Sequence, residues 1–198
     1  MDQIQWQNSF RAYFKKQGYD ICWDGLTLPM DVHCLSKGDY LFQQGDFANQ
    51  LYFLHTGLVR YVSVSAQGKE FTQSFVKGAR IIGSTKAMVT QTPSMFGIQA
   101  LGDCLLLSYP WKAFYGQMRH DKAFLEFYIH FLEGLFIDKD ERARALVKYS
   151  AERRYLDFCT DFAELKDSIP QQHIASYIGI TPVALSRIRK KLKLGASD

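Results

Sequence analysis

The feature that most constrains the fold of this chain is a change in hydrophobic period at Tyr109-Pro110. Before it, from Leu26 to Tyr109, short apolar runs such as Leu58 to Val64 are separated by turn residues. The turns fall at Gly38, Gly45-Asp46, Gly57, Gly68, Gly78, Gly83 and Gly102. Short strands punctuated in this way are typical of an antiparallel sandwich or barrel. After Pro110 the apolar residues recur every three or four positions, as in helices. The sequence therefore predicts an α+β protein in which an antiparallel β jelly roll precedes a helical part.

A long helix is predicted from about Asp121 to Tyr149. Its apolar stripe consists of Phe124, Phe127, Tyr128, Phe131, Leu132, Leu135 and Phe136, with Leu125, Ile129 and Ile137 widening it. At the standard rise the helix measures about 40 Å, which is more than a small β domain needs for cover. We therefore expect it to pack on a second copy of the chain, with Phe124, Phe127, Phe131 and Leu135 in the contact. The alternative is that it closes the core of a monomer.

Composition excludes several classes of protein. Of the 198 residues 47% are hydrophobic, and the net charge is only +4, so the chain is neither disordered nor basic overall. No run approaches the roughly 18 apolar residues of a membrane helix, and the start of the chain does not read as a signal peptide. We expect a cytoplasmic protein without a membrane partner. The four cysteines are far apart and are expected to be free thiols.

The excess positive charge is concentrated near the C-terminus. From Gln171 to Ser197 there is no acidic residue, and the basic ones are Arg187, Arg189, Lys190, Lys191 and Lys193. A short helix is predicted over Gln171 to Ile178, ended by Gly179 in the left-handed conformation. Thr181 then caps a second helix whose first position is Pro182. Two short helices around a glycine turn indicate a helix-turn-helix.

Helical geometry divides the second of these helices into two faces. Leu185, Ile188 and Leu192 lie on one narrow arc and are expected to face the protein. The residues expected to contact DNA are Val183, Ser186, Arg187 and Lys190 on the opposite arc, Lys191 at its border, and Thr181 at the start of the helix. Arg187 suits a guanine edge, and the two lysines suit phosphates. The alternative is a solvated cationic helix end, which the helix dipole favours in any protein.

Several motifs together resemble the Crp-Fnr family of bacterial transcription regulators. They are Gly38 to Asp46, Leu51 to Arg60, Ile81 to Gly83, Glu152 to Leu156, and Ile174 through Ile188. The resemblance implies a cyclic-nucleotide-binding jelly roll, a long dimer helix and a C-terminal helix-turn-helix. The implied partners are double-stranded DNA, a second copy in a homodimer, RNA polymerase and a small-molecule effector.

The effector region departs from this pattern. Cyclic-AMP-binding members carry a Gly-Glu pair, and about ten residues later an arginine that pairs with the cyclic phosphate. This chain has Gly83-Ser84 and, by spacing, Ser94. Without the arginine the phosphate loses bonds worth on the order of 1.5 to 3 kcal/mol each. We therefore expect no ordinary cyclic AMP binding and no cofactor; the sequence leaves open whether Arg80 or Lys86 substitutes.

The helix-turn-helix departs as well, because Val183 stands where the family often has an acidic residue, and the hairpins often found on either side are missing. The predicted organisation is a β-roll with an N-terminal helix over 1–120, a dimerisation helix over 121–149 and a DNA-binding domain over 150–198. Two other functions are alternatives for a chain with this fold. A sensor or protein-interaction module without DNA binding would keep the fold, and a metal-dependent jelly-roll enzyme would need a histidine cluster that His33 and His55 do not form. We expect no enzyme activity and no metal.

Overall fold

A computed structural model describes the backbone of residues 3–194 and the side chains of residues 4–192. The remaining ends of the first and last predicted domains, and the side chain of Lys193, lie outside the described residues. The described chain forms two compact units. The first comprises residues 1–63 and 74–134, and the second comprises residues 64–73 and 135–198. The tip of one β-hairpin therefore belongs to the same unit as the C-terminal helices.

The β-roll consists of eight strands in two four-stranded sheets. The strands are β1 Asp31–Leu35, β2 Tyr40–Phe42, β3 Gln50–Thr56, β4 Leu58–Val64, β5 Glu70–Lys77, β6 Arg80–Ile82, β7 Gly97–Ala100 and β8 Cys104–Pro110. One sheet has the order β1-β8-β3-β6 and the other β2-β7-β4-β5. The registered pairs are antiparallel, for example β3 with β8. The predicted antiparallel jelly roll, followed by helices, is confirmed.

The helices are α1 Gln3–Lys16, α2 Thr85–Thr90, α3 Trp111–Met118, α4 Lys122–Lys148, α5 Ala151–Asp161, α6 Gln171–Ile178 and α7 Pro182–Leu194. The long helix α4 begins and ends within a residue of the predicted limits. Helix α5 ends at Asp161, and the chain over residues 162–168 forms turns. Between α5 and α6 the described chain contains no strand.

The core of the first unit has two hydrophobic clusters. One fills the space between the sheets and contains Phe42, Leu54, Val59, Ile98 and Leu106, among others. The other joins α1, α3 and the start of α4 to the outer face of the first sheet, and it includes Phe10, Phe14, Phe53, Phe114, Phe124 and Phe127. Helix α1 is therefore a full component of the core, which its sequence pattern had indicated only weakly.

This second cluster corrects the predicted use of α4. Phe124 and Phe127 are 2% and 6% exposed in the core of their own chain, and Phe131 packs partly against the same cluster. With about 100° per residue, the side formed by Phe124, Phe127 and Phe131 points well away from Phe136, which is 75% exposed. Phe124 and Phe127 are therefore core residues, and the surface open to a second copy is a different face of α4.

Candidate nucleic-acid interface and effector pocket

The helix-turn-helix is built from α6, a glycine turn and α7. Gly179 adopts a left-handed conformation at φ 76°, and the amide of Ile180 closes the end of α6 on the carbonyl of Ala175 at 2.9 Å. The Cβ that a larger residue would add at Gly179 lies 3.3 Å from a methyl of Leu146. The predicted glycine turn is thus required by both backbone conformation and space.

Helix α7 starts at the predicted residues. The Thr181 hydroxyl accepts the amide N–H of Ala184 at 3.2 Å, which satisfies one of the free donors of the first turn. Leu185 is fully buried, and Ile188 and Leu192 are half-buried; Ile174, Ala175 and Ile178 of the contacting helix α6 are buried as well. The face predicted to point inward therefore anchors the helix.

The opposite face of α7 is open. Val183, Ser186, Arg187 and Lys190 are all exposed. Lys191 is also exposed, but its ammonium lies 2.7 Å from a carboxylate oxygen of Glu152 in α5. A phosphate would compete with Glu152 for Lys191, whereas Lys190 has no such pairing among the described ion pairs. An exposed surface pair of this kind contributes at most about 1 kcal/mol.

Helix α5 supports this surface through two further interactions. Ser150 is the N-cap of α5 and accepts the amide N–H of Arg153 at 3.2 Å. Arg154 donates to carbonyl oxygens at the C-terminal ends of two helices, those of Tyr149 after α4 and of Ile178 in α6. The first motif residues after the long helix therefore fix α4, α5 and α6 to one another, a role that the sequence pattern alone did not reveal.

The residues predicted for the effector pocket lie together but are already occupied. The amide N–H of Gly83 donates to the hydroxyl oxygen of Tyr61 at 3.1 Å. Ser84 is buried and caps α2 by accepting the amide of Ala87 at 3.4 Å. Ser94 is buried and donates its hydroxyl to the carbonyl of Phe96 at 2.8 Å. Each of the three therefore already makes at least one hydrogen bond within the fold.

Aromatic side chains fill that space. The rings of Tyr61 and Phe96 are 5.1 Å apart, and Phe42 lies 5.9 Å from Tyr52 and 6.2 Å from Phe96. Burial raises the pKa of Tyr61 to about 12, so its hydroxyl is neutral at physiological pH. Sequence reasoning missed Tyr61, because it is 22 residues from Gly83.

No cation takes the place of the missing arginine within the roll. Arg80 and Lys86, the two candidates from the sequence, are both exposed. Arg60 is buried, but strand alternation puts it on the face of β4 opposite to Val59 and Tyr61, and its Nε donates to Gln99 Oε1 at 2.8 Å. An anionic ligand between the sheets would therefore lack a guanidinium partner.

Within residues 3–194 no group of three potential metal ligands occurs, and no helix is long and apolar enough to cross a membrane. The four cysteines are free, with Cys22 and Cys34 exposed, Cys104 buried and Cys159 half-buried.

Comparisons with known proteins agree with this architecture. Residues 32–121 match the model of the cyclic nucleotide-binding domain. A curated relative is an anaerobic regulatory protein of Pasteurella multocida (strain Pm70), 23% identical over 180 residues. The match covers 80% of this chain and 62% of that protein, so the chain spans less than two thirds of its relative's length.

Two solved structures show the same fold. FixK2 from Bradyrhizobium japonicum has a TM-score of 0.71 at 16% identity, covering 85% of this chain and 87% of that one. A mutant of CooA from Carboxydothermus hydrogenoformans has a TM-score of 0.69 at 20% identity, covering 83% and 76%. The curated relative is named as a regulatory protein. These matches support the resemblance to the Crp-Fnr family of transcription regulators, and the match to the cyclic nucleotide-binding domain covers residues 32–121, a little less than half of the chain.

Proposed function

We propose that this chain is a sequence-specific DNA-binding regulator of transcription that works as a homodimer and reads DNA with α7. The observation that carries the proposal is the division of α7 into two faces. Leu185 is fully buried, whereas Val183, Ser186, Arg187 and Lys190 are exposed. A major groove admits one helix, and an exposed basic face on a firmly anchored helix meets that requirement.

Each exposed residue has a distinct chemical role in this proposal. The planar guanidinium of Arg187 can donate two parallel bonds to the O6 and N7 of guanine. Val183 offers a methyl surface to thymine, and Ser186 a small hydroxyl. Lys190 carries a point charge suited to a phosphate, as does the N-terminal end of α7 near Thr181.

Selection of bound fragments from random DNA by the purified chain tests this function directly. We expect one enriched, nearly palindromic sequence with half-sites about 34 to 36 Å apart. We also expect affinity to fall steeply with salt, since phosphate contacts release counterions. A chain that enriches no sequence, and binds no fragment even at low salt, would instead be a sensor or protein-interaction module.

Two substitutions separate base reading from phosphate binding. Arg187→Ala should weaken the selected site by about 1 to 3 kcal/mol and relax preference at one position, while leaving non-specific binding almost unchanged. Lys190→Ala should weaken all sequences alike and reduce the salt slope by about one. Fluorescence anisotropy over a salt series measures both. If Arg187→Ala retains the full preference of the wild type, Arg187 does not read a base.

The proposed dimer uses the exposed face of α4. Its members are Leu125, Ile129, Leu132, Phe136, Ala143 and Val147, which we call the exposed stripe. Leu125 and Leu132 are half-buried, and the other four are exposed. Their spacings keep all six within an arc of about 60° around the helix. Phe136 and Val147 are 75% and 91% exposed, more than isolated surface residues require. A second copy of the same stripe would cover this apolar surface in a symmetric contact.

Phe136→Glu tests the exposed stripe. A charge in the centre of a dimer contact should convert the dimer to a monomer at micromolar concentration, measured by sedimentation equilibrium. Ile137→Glu is the matched control, because Ile137 is also exposed but lies about 100° around the helix from Phe136. A wild-type chain that is monomeric at all concentrations, or two variants that behave alike, would contradict the proposed contact.

We further propose that the effector pocket does not accept cyclic AMP in the ordinary way. Support comes from the hydrogen bonds that Gly83, Ser84 and Ser94 already make within the fold. Further support is that, among the described residues, we find no guanidinium directed into the space between the two sheets. Isothermal titration with cyclic AMP should give no heat above dilution. An RNA polymerase contact and a different effector stay predictions from the family resemblance.

A further inference from the structure

The tip of the β4–β5 hairpin, residues 64–73, belongs to the compact unit that contains the helix-turn-helix. Strand β5 is at the edge of its sheet, next to β4 on one side only. An edge strand leaves one row of backbone donors and acceptors without a neighbouring strand. The structure shows what meets this row at Glu70 to Thr72.

A single side chain of α6 bonds to that edge. The hydroxyl oxygen of Ser176 accepts the amide N–H of Thr72 at 2.9 Å, and the same hydroxyl donates to the carbonyl oxygen of Glu70 at 3.4 Å. These are the backbone groups on either side of Phe71, which a residue of a parallel neighbouring strand would use. Ser176 therefore substitutes for a strand and docks α6 on the hairpin tip.

Arg142 of α4 reinforces the same junction. It donates to the carbonyl oxygens of Thr72 and Tyr177, and its guanidinium carbon lies 3.8 Å from the centre of the Tyr177 ring. Burial lowers the pKa of Arg142 from its usual value, but arginine remains charged in proteins, so the cation–π contact is kept. Two adjacent residues of α6, Ser176 and Tyr177, are thus held by the hairpin tip and α4.

The position of α6 determines that of α7. Helices α6 and α7 contact each other, Ile174, Ala175 and Ile178 of α6 and Leu185 of α7 are all buried, and only residues 179–181 separate the two helices. A rotation of α6 against α4 would therefore carry the exposed face of α7 with it. Because base contacts demand a fixed approach to the groove, such a rotation would affect base reading more than phosphate binding.

We propose that the hairpin tip is a docking platform for the helix-turn-helix, and that Ser176 and Arg142 are positioning residues for DNA recognition. This inference rests on the proposed DNA-binding function. Neither residue lies on the exposed face of α7, and neither is offered as a DNA contact. Their effect on DNA is exerted through the orientation of α6.

The test compares Ser176→Ala with Thr160→Ala in the full chain. Thr160 is the matched control, because its hydroxyl donates to the carbonyl of Leu156 within α5 and is not part of the junction with the hairpin. Two quantities are measured for each variant. The first is the dissociation constant for the selected DNA site and for an unrelated fragment, over a salt series. The second is hydrogen–deuterium exchange in peptides covering residues 70–73.

For Ser176→Ala we expect affinity for the selected site to fall about tenfold, the equivalent of one or two lost hydrogen bonds. Affinity for the unrelated fragment and its salt slope should stay as in the wild type, and exchange at the hairpin tip should accelerate. Thr160→Ala should change none of these. A merely structural role would instead lower both affinities together.

Three results would overturn the inference. Unchanged exchange at residues 70–73 would mean that the hydroxyl does not dock the hairpin in solution. Faster exchange with an unchanged preference for the selected site would mean that docking does not position α7. A wild-type chain that binds no DNA would remove the proposed function and the positioning role with it, while the exchange experiment would still report whether the hairpin tip is docked.

Discussion

Tyr61 offers the most quantitative prediction, because one hydroxyl occupies the predicted effector pocket. Its oxygen accepts the amide of Gly83, while its ring packs on Phe96. Tyr61→Phe removes the oxygen and keeps the ring. Near neutral pH the loss of this acceptor should lower the free energy of unfolding by about 1 to 3 kcal/mol, since the amide of Gly83 is left unpaired beside apolar side chains.

The pH dependence sharpens this expectation. Burial raises the pKa of Tyr61 from 10.0 to about 12 in the folded chain. A raised pKa stabilises the fold below the unfolded value, and this stability is lost as the pH rises between the two values. At about pH 11 the wild type should therefore have lost about 1.4 kcal/mol through this group compared with about pH 9. The Tyr61→Phe variant has no hydroxyl at this position to ionise, so it loses no free energy of unfolding through this group.

Urea unfolding of both proteins at about pH 9 and about pH 11 measures the effect. The other tyrosines titrate in both proteins, so the difference between the two isolates Tyr61. We expect the stability advantage of the wild type to shrink by about 1.4 kcal/mol between the two pH values. An advantage that is the same at both would show that the Tyr61 hydroxyl is solvated and leaves the pocket open, and the reasoning on the occupied pocket would fail.

Two further substitutions test the scaffold. Leu185→Ala should lower the stability of the helix-turn-helix by about 2 to 5 kcal/mol through a buried cavity, whereas Val183→Ala on the exposed face should change it by less than about 0.5 kcal/mol; urea unfolding compares them. Gly57→Ala should be strongly destabilising, because the new Cβ would lie 2.5 Å from the sulfur of Cys104 and 2.7 Å from the carbonyl of Asp103. Gly68→Ala, with a similar positive φ and open space, should cost only about 1 to 2 kcal/mol in a thermal melt. Equal losses at the two glycines would refute the steric argument.

Much of the C-terminal unit follows from the sequence alone. The limits of α6, the glycine turn, the Thr181 cap and the two faces of α7 are set by local rules of period, capping and backbone conformation. Each rule involves residues within about four positions of one another, and a helix repeats them along its length. For the same reason the limits of α4 and the order of strands and helices were predicted well.

The side of α4 that faces the core could not be predicted in this way. Apolar residues lie on several sides of the helix. The period alone therefore does not show whether the side with Phe124 and Phe127 or the side with Phe136 and Val147 faces the core. The choice depends on α1 and α3, whose aromatic residues pack around Phe127 and Phe124. Only the tertiary structure decides it, because burial depends on which other elements compete for the same face.

The sequence by itself thus determined which elements form, and which faces of α7 are apolar or basic, because these properties arise from neighbours along the chain. Only the tertiary structure shows that the Tyr61 hydroxyl accepts the amide N–H of Gly83. It also shows that the Ser176 hydroxyl accepts the amide N–H of Thr72, which is 104 residues away in the sequence. The sequence around a hydroxyl-bearing residue does not identify a hydrogen-bond partner that is distant in the chain. The bond exists because the packed chain brings a distant backbone donor within reach, and a buried donor without a partner costs free energy.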